Sequence, residues 1–466
     1  MTDRDIVWLT LESVRYDRTS VGGHERDTTP FLRRLASEAD SAAFENCTTH
    51  AIWTRPSSTS ILTGRAPSNH RTWSTELALS DDVPTIPEGL RDAGYRTVGI
   101  SPIAQVSAAT GLDRGFERFH YLGKEQLLEQ VGPRILARYL LNLRRHSAGW
   151  TTDTRKHSTG YMIDALASRD IRRASAADDP VFLYAHLADS HHPYYPPKGW
   201  RSRFEEDLDA PMDRALAASL DMSDRVHEHI ADGLPVDAET WNAIDVMYDS
   251  ALAYVDAVAS SIVETARAEL DDPIIVVTAD HGEFFGEEGL LAHMLSTHTA
   301  VTIVPLVVAG LDGLSGARRD VVQHADVMRT VVAALGLDVP VPIGQDIRTD
   351  PREIAFTQRG EPRSETKIEE FRRHNPTFDA SRFLTGVVTS ARTTEHRYQR
   401  GDDRAELYRL PDESADVSES APDVVERLDG EIDSWLATHG APDDSRERTA
   451  DFSPEMAEQL EDLGYL

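Results

Sequence analysis

A hydroxyl, two carboxylates and several imidazoles are placed along this 466-residue chain in a way that suits attack on a charged ester. The hydroxyl is Thr54, in Thr54-Arg55-Pro56-Ser57-Ser58-Thr59-Ser60-Ile61-Leu62-Thr63-Gly64-Arg65. Proline is favoured at the first helical position, where a missing N–H costs nothing, so Pro56 predicts a helix start with Thr54 just outside it. Orphan N–H groups and the positive end of the helix dipole then face Thr54 and any anion beside it. A hydroxyl so placed can act as a nucleophile toward a phosphate or sulfate ester. The carboxylates are Glu12 and Asp280, each directly after an apolar, β-prone run (5–11 and 273–279). Parallel α/β sheets bind ligands outside the carboxyl ends of their strands, so Glu12, Asp280 and the adjacent His281 are expected at one sheet edge. Such donors suit a divalent ion, with Mn²⁺, Mg²⁺, Ca²⁺ and Zn²⁺ all compatible. That ion would hold Thr54 as an alkoxide and polarise the ester oxygen.

The elements that must position these groups alternate in βα fashion. A third buried strand, Val181-Phe182-Leu183-Tyr184-Ala185-His186-Leu187, runs into Ala188-Asp189-Ser190-His191-His192-Pro193-Tyr194. His186 points into the site or packs within the sheet; periodicity leaves both open. A helix over 29–39 is signalled by Thr29 as N-cap and Pro30 at its first position. Another over 85–95 stops at a glycine and feeds a strand at 96–101. A long helix near 241–269 carries Asp249 and Asp256, read as structural. Two insertions interrupt the pattern. One near 124–160 is rich in Arg and Leu and is expected to shape the substrate mouth; one near 200–245 is acidic. Beyond about 345 come short strands near 393–400 and 406–410 and a helix near 424–438.

The Thr54–Arg65 stretch resembles the nucleophile motif of the sulfatase family, within the alkaline-phosphatase superfamily. That motif runs Cys-or-Ser, any residue, Pro, Ser, Arg, Ala, Ser, then Leu-Thr-Gly-Arg. Pro56, Ser57, Ser60, Leu62, Thr63, Gly64 and Arg65 match it. Thr54 stands where sulfatases carry the residue oxidised to formylglycine, and Ser58 stands where they carry Arg. No formylglycine is therefore expected, and Thr54 would attack as a hydroxyl, as in the Thr-nucleophile phosphodiesterases and phosphoethanolamine or phosphoglycerol transferases of the superfamily. The resemblance implies Glu12, Thr54, Asp280 and His281 as metal ligands. It implies His191, in the position of the family's Asp-Pro-His, as proton donor to the leaving group. It further implies His293 at the oxyanion, with His298 in reserve, and Ser58 and His186 complete the substrate-binding candidates. The sulfatase lysines have no counterparts: the chain's four lysines are Lys124, Lys156, Lys198 and Lys367, and Ile100-Ser101-Pro102-Ile103 lacks one. The implied fold is α/β, an alkaline-phosphatase-like three-layer sandwich with a mostly parallel central sheet, plus a small C-terminal antiparallel sheet and helix. The domains expected are a catalytic domain at 1–345 and an α+β subdomain at 346–466, closing on the family-like Leu463-Gly464-Tyr465-Leu466.

Composition bounds the partners. Lys and Arg total 48 against 79 Asp and Glu, a net charge of −31, with a pI near 4.9. This resembles the Lys-poor, acidic style of salt-adapted haloarchaeal proteins, in which salt screens self-repulsion. It argues against nucleic acid and against anionic membranes as partners. The single cysteine, Cys47, excludes an internal disulfide and is expected to be a small packing residue. No signal peptide is recognised and no apolar run of about 18 residues suggests a membrane span, so a cytoplasmic location is expected. The resulting expectation is a metal-dependent hydrolase of phosphate mono- or diesters acting through Thr54 on a small-molecule, glycan-derived or lipid-derived ester. Sulfate-ester hydrolysis, phosphotransfer to glycan or lipid precursors, and a binding protein without turnover are the alternatives.

Overall fold

The computed structural model describes residues 4–124, 126–151, 153–440 and 447–462. The expected ending at 463–466 lies outside the described residues.

Its centre is an eight-stranded sheet in the spatial order Gly316–Val322, Ser41–Thr48, Ile303–Ala309, Ile274–Ala279, Ile6–Leu11, Val181–Leu187, Arg96–Ser101, Arg118–Tyr121. Only Ile303–Ala309 runs against the others. The three central strands are buried along their whole length, which is why they read as unbroken apolar runs. Helices cover both faces. Pro30–Ala36, Gly160–Ala177 and Ala238–Glu269 pack together on one side, and Thr54–Thr63, Ile86–Asp92 and His324–Ala334 on the other. The chain thus has the α/β sandwich expected from its sequence.

Ala238–Glu269 is long and apolar enough to cross a membrane, but 83% of its most apolar window is buried in the fold. It is a core helix, and its buried aspartates Asp249 and Asp256 are structural. Asp256 accepts the N–H groups of Phe31 and Leu32 at 2.8 and 3.0 Å, closing the N-terminus of Pro30–Ala36. Thr29 stands at the N-cap as expected, yet its hydroxyl instead accepts the Ser20 N–H at 2.8 Å. Asp249 binds His24 and Arg26, each at 2.7 Å. Cys47 is fully buried, and burial pushes its thiol far above the ordinary range.

A second, antiparallel sheet follows in sequence order: Ala355–Arg359, Val388–Arg392, His396–Arg400 and Ala405–Arg409. Helix Pro422–His439 packs on it through Phe356 stacked on Trp435. This sheet is tied to the first by Gln358 N–H on the His50 carbonyl at 2.9 Å and by the Gln323 amide on the Phe356 carbonyl at 2.9 Å. Between its first two strands, helix Glu361–His374 returns toward the carboxyl edge of the large sheet.

Candidate active site

Register builds the site. Leu11 pairs with Leu187 on one side and Ala279 on the other, so the central strands end level and release Glu12, Ala188 and Asp280 together. Thr10 is level with His186 and Thr278, so His186 shares a sheet face with them. It therefore points into the site, where Nε2 contacts the Glu12 carboxylate and Nδ1 meets the Tyr184 hydroxyl at 3.1 Å. Ser13 follows with φ 55°, a conformation secured by its N–H on Asp280 Oδ1 (3.2 Å) and by the Tyr248 hydroxyl on its carbonyl (2.8 Å).

Thr54 comes from the opposite face. The helix begins at Thr54 itself, two residues before Pro56. Proline at the third position is as acceptable as at the first, because the first four N–H groups have no intrahelical partner. All ten residues of Thr54–Thr63 are buried. Ser57 donates to the Asp280 carbonyl at 2.6 Å, fastening the helix to the strand end. Arg55 is anchored by Gln105 at 2.5 Å and by the carbonyls of Ser74, Thr75 and Leu77. The helix ends at Gly64 (φ 62°), where a Cβ would lie 2.5 Å from Val341 Cγ1.

Within this frame Thr54 Oγ1 donates to Glu12 Oε1 at 2.5 Å and lies 3.1 Å from His281 Nε2. His281 Nδ1 donates to the Gly282 carbonyl at 2.8 Å, which leaves an Nε2 lone pair directed at Thr54 and at Asp280 Oδ2, 3.5 Å away. Gly282 lets this turn press against the next strand: a Cβ there would stand 2.1 Å from the Ala300 carbonyl oxygen. Among the described residues, Asp280 Oδ2 is buried without a hydrogen-bond partner. Two buried carboxylates, an orphaned oxygen and an imidazole lone pair fit a divalent cation, and Glu12, His186 and Asp280 already bring one donor each within 4.8 Å of one another.

The electrostatics agree. Burial opposes ionisation of Glu12, but the adjacent His186 overcomes it and holds the carboxyl at about 2. Burial, reinforced by the charge of Glu12, pushes Asp280 well above the usual carboxylate range. Burial pushes His281 down to about 4 and lowers His191 and His293, so these imidazoles stand neutral.

Beyond the carboxylates, His191, His192 and His293 bring one donor nitrogen each within 4.8 Å of one another. His191 Nδ1 donates to the His192 carbonyl at 2.6 Å, turning Nε2 the other way. The His293 ring packs on those of His281 and His191, with centroids 4.3 and 5.2 Å away. His298, the reserve candidate, accepts the Ala300 N–H at 3.0 Å as the cap of a short helix. Ser58 lies one helical turn beyond Thr54, fully buried beside Tyr184. A cavity of about 390 Å³ opens beside His191 and His192, walled by side chains such as Leu122, Leu127, Leu136, Tyr139 and Met162.

The sequence model described as Sulfatase matches residues 4–337, well over half the chain and every residue of the Glu12–Asp280 cluster. The chain belongs to the sulfatase family. A choline-sulfatase of Rhizobium meliloti (strain 1021) is 24% identical over 352 residues, 66% of this chain and 63% of that protein. The uncharacterized sulfatase YidJ of Escherichia coli (strain K12) is 20% identical over 327 residues, 65% and 62% of the two chains. The chain thus spans a little under two thirds of these relatives. The fold is shared with the phosphonate monoester hydrolase of Agrobacterium radiobacter (TM-score 0.68, 21% identity, 93% of this chain and 95% of the other). It is also shared with a 2-O GAG sulfatase, BT1596 (0.67, 13%, 97% and 96%). Within the sulfatase fold, several residues near the site escape sequence reasoning. Glu283 lies beside a recognised motif but carries no spacing signal of its own, and His192, which the sequence suggests is structural or exposed, is buried. His192 Nδ1 meets Ser223 Oγ at 2.9 Å, and Glu283 Oε1 meets His293 Nδ1 at 3.3 Å. Arg363, whose guanidinium donates to the His293 carbonyl at 3.2 Å, comes from the C-terminal segment. With Lys367, its neighbour on the same helix, it brings buried positive charge toward His281 and His192.

Proposed function

We propose that the protein is a metal-dependent hydrolase of phosphate mono- or diesters, with Thr54 as the attacking group. The observation that carries this is the Thr54 hydroxyl, held at 2.5 Å by Glu12 inside the carboxylate–imidazole cluster. A divalent ion bound by Glu12, Thr54, Asp280 and His281 would polarise the ester and lower the pKa of the hydroxyl. Glu12 accepts the Thr54 proton. The oxygen attacks phosphorus in line, a P–O bond forms at Thr54, and the bond to the leaving alcohol breaks. His191 takes up a proton from solvent at Nε2, which is directed away from its own backbone contact, and as imidazolium passes it to the departing oxygen, returning to its neutral form. Water then cleaves the phospho-threonine, returning the hydroxyl and releasing phosphate or the monoester. His293 and Ser58, with His186 steadying Glu12, surround the ester.

Hydrolysis of sulfate esters is the second reading, favoured by the likeness to a choline-sulfatase. Turnover of a bis-aryl phosphate, an aryl phosphate and an aryl sulfate, measured side by side with added Mn²⁺, Zn²⁺ or Ca²⁺, separates the two. Phosphate-ester turnover is expected, and it falls at least a thousandfold in Thr54→Ala while the far-ultraviolet spectrum is unchanged. Full activity in that variant rejects Thr54 as nucleophile; dominant sulfate turnover selects the second reading.

A further inference from the structure

The insertion that walls the cavity differs from most of the molecule in two ways. The first is charge. Residues 124–157 carry seven Lys and Arg against three Asp and Glu, a local +4 in a chain of −31. Elsewhere arginines commonly pair with carboxylates, as Arg26 does with Asp207, Asp245 and Asp249. On the insertion Arg134, Arg138, Arg144 and Arg145 are exposed and make no ion pair among the described residues. The second is burial. Among the described residues, the large hydrophobic side chains that stand out in water are Leu128 (56% exposed), Leu140 (44%), Leu141 (84%) and Trp150 (86%). All four belong to this one segment, on or just beyond helices Leu127–Leu141 and Leu143–His146.

Exposed apolar and aromatic side chains interleaved with unpaired arginines are what an interfacial helix presents to an anionic lipid surface. Other sides of the same helical segment, which kinks at Gly132 (φ 75°), face the cavity. Leu127, Leu136 and Tyr139 line it, Leu140 is shared between cavity and patch, and the cavity continues to His191 and His192. The exposed patch and the apolar cavity are thus two sides of one element, with a candidate leaving-group donor at the inner end. We propose that the 124–157 insertion docks the protein on an anionic lipid surface, and that the cavity receives the apolar portion of a lipid ester whose head group is cut at Thr54. The docking stands on the patch alone; the substrate class also rests on Thr54 and His191 acting as described above.

Flotation with phosphatidylglycerol vesicles, and with phosphatidylcholine vesicles as control, tests the docking. The wild type is expected to float with the anionic vesicles. Binding should fall at least tenfold in Arg144→Glu/Arg145→Glu and in Leu141→Asp/Trp150→Asp. Turnover of a soluble aryl ester should be unchanged in both variants, which marks them as folded and as lying outside the chemistry. In a series of alkyl aryl phosphodiesters, KM should fall stepwise as the alkyl group lengthens from methyl to octyl, and Leu136→Arg should abolish that trend. No flotation by the wild type overturns the docking, whatever the enzyme assays give. So does a dimer in solution that the Leu141 and Trp150 substitutions split, which would make the patch an interface between copies. A KM indifferent to chain length overturns the lipid substrate. Loss of all turnover with vesicle binding intact would instead count against the catalytic reading.

Discussion

Glu12 and Asp280 face one another in a fully buried site, with one Asp280 oxygen hydrogen-bonded to no group among the described residues. Such a pair is costly unless a cation lies between the charges. A crossing pattern follows for Asp280→Asn. Without metal the variant should melt no lower than the wild type, because burial and the neighbouring Glu12 already disfavour a charge on Asp280. With millimolar Mn²⁺ or Zn²⁺ the wild type should gain several degrees, since a ligand that binds only the folded state stabilises it by mass action. The variant should gain far less. Differential scanning fluorimetry with and without chelator reads both arms, and equal metal-induced gains in the two proteins would remove Asp280 from the ion's coordination. His186 lies behind this arrangement: the charge of Glu12 raises its pKa against the pull of burial, so it can meet Glu12 as a cation when no metal is present.

At the level of elements, the sheet is rigid where strands end level, and the helices must be pinned to it. Asp256 on Ala238–Glu269 does this for Pro30–Ala36 by accepting two N–H groups. Burial pushes its carboxyl up to about 7 from an ordinary 3.8, against the lowering by those two N–H groups. A raised carboxyl pKa means that the folded protein keeps a proton the unfolded chain gives up. The stabilisation is complete below pH 4 and is lost as pH rises toward 7. Asparagine has no proton to lose, so the stability of Asp256→Asn relative to wild type should improve between pH 4.5 and 8, by about 3 kcal/mol. Urea unfolding at the two pH values measures this; a constant difference would mean that Asp256 is ionised throughout. Elements were the most legible level of the sequence. The three central strands announced themselves as apolar runs because both faces of a parallel sheet are covered. The residues just past their ends were legible for the same reason. The Thr54 helix was displaced by two residues because proline marks a first turn and not a single position in it. The direction of His186 needed the pairing of Thr10 with His186, which no single strand contains. Arg363 was out of reach because it approaches His293 from 70 residues further along the chain, by tertiary packing alone.

For the whole molecule, charge is the dominant statement. A net −31 repels itself in dilute buffer, and the insertion at 124–157 is a local exception with the opposite sign. These two facts give opposite responses to salt. Screening lengths shrink from about 10 Å at 0.1 M to about 3 Å at 1 M, so KCl should relieve repulsion among surface carboxylates over that range. The melting temperature should therefore climb steeply up to about 1 M KCl and level off beyond it. Sucrose, which acts by exclusion from the surface, should not reproduce the steep part. The same screening weakens attraction between the insertion's arginines and anionic lipid, so flotation should fall over the concentrations at which the fold gains stability. Measuring both curves on one preparation separates electrostatic screening from general strengthening of apolar burial. Exclusion-type effects would raise the melting temperature and vesicle binding together, since both bury apolar surface. Opposite slopes are expected only if surface carboxylates limit the stability of the fold and unpaired arginines on the insertion hold it to the lipid.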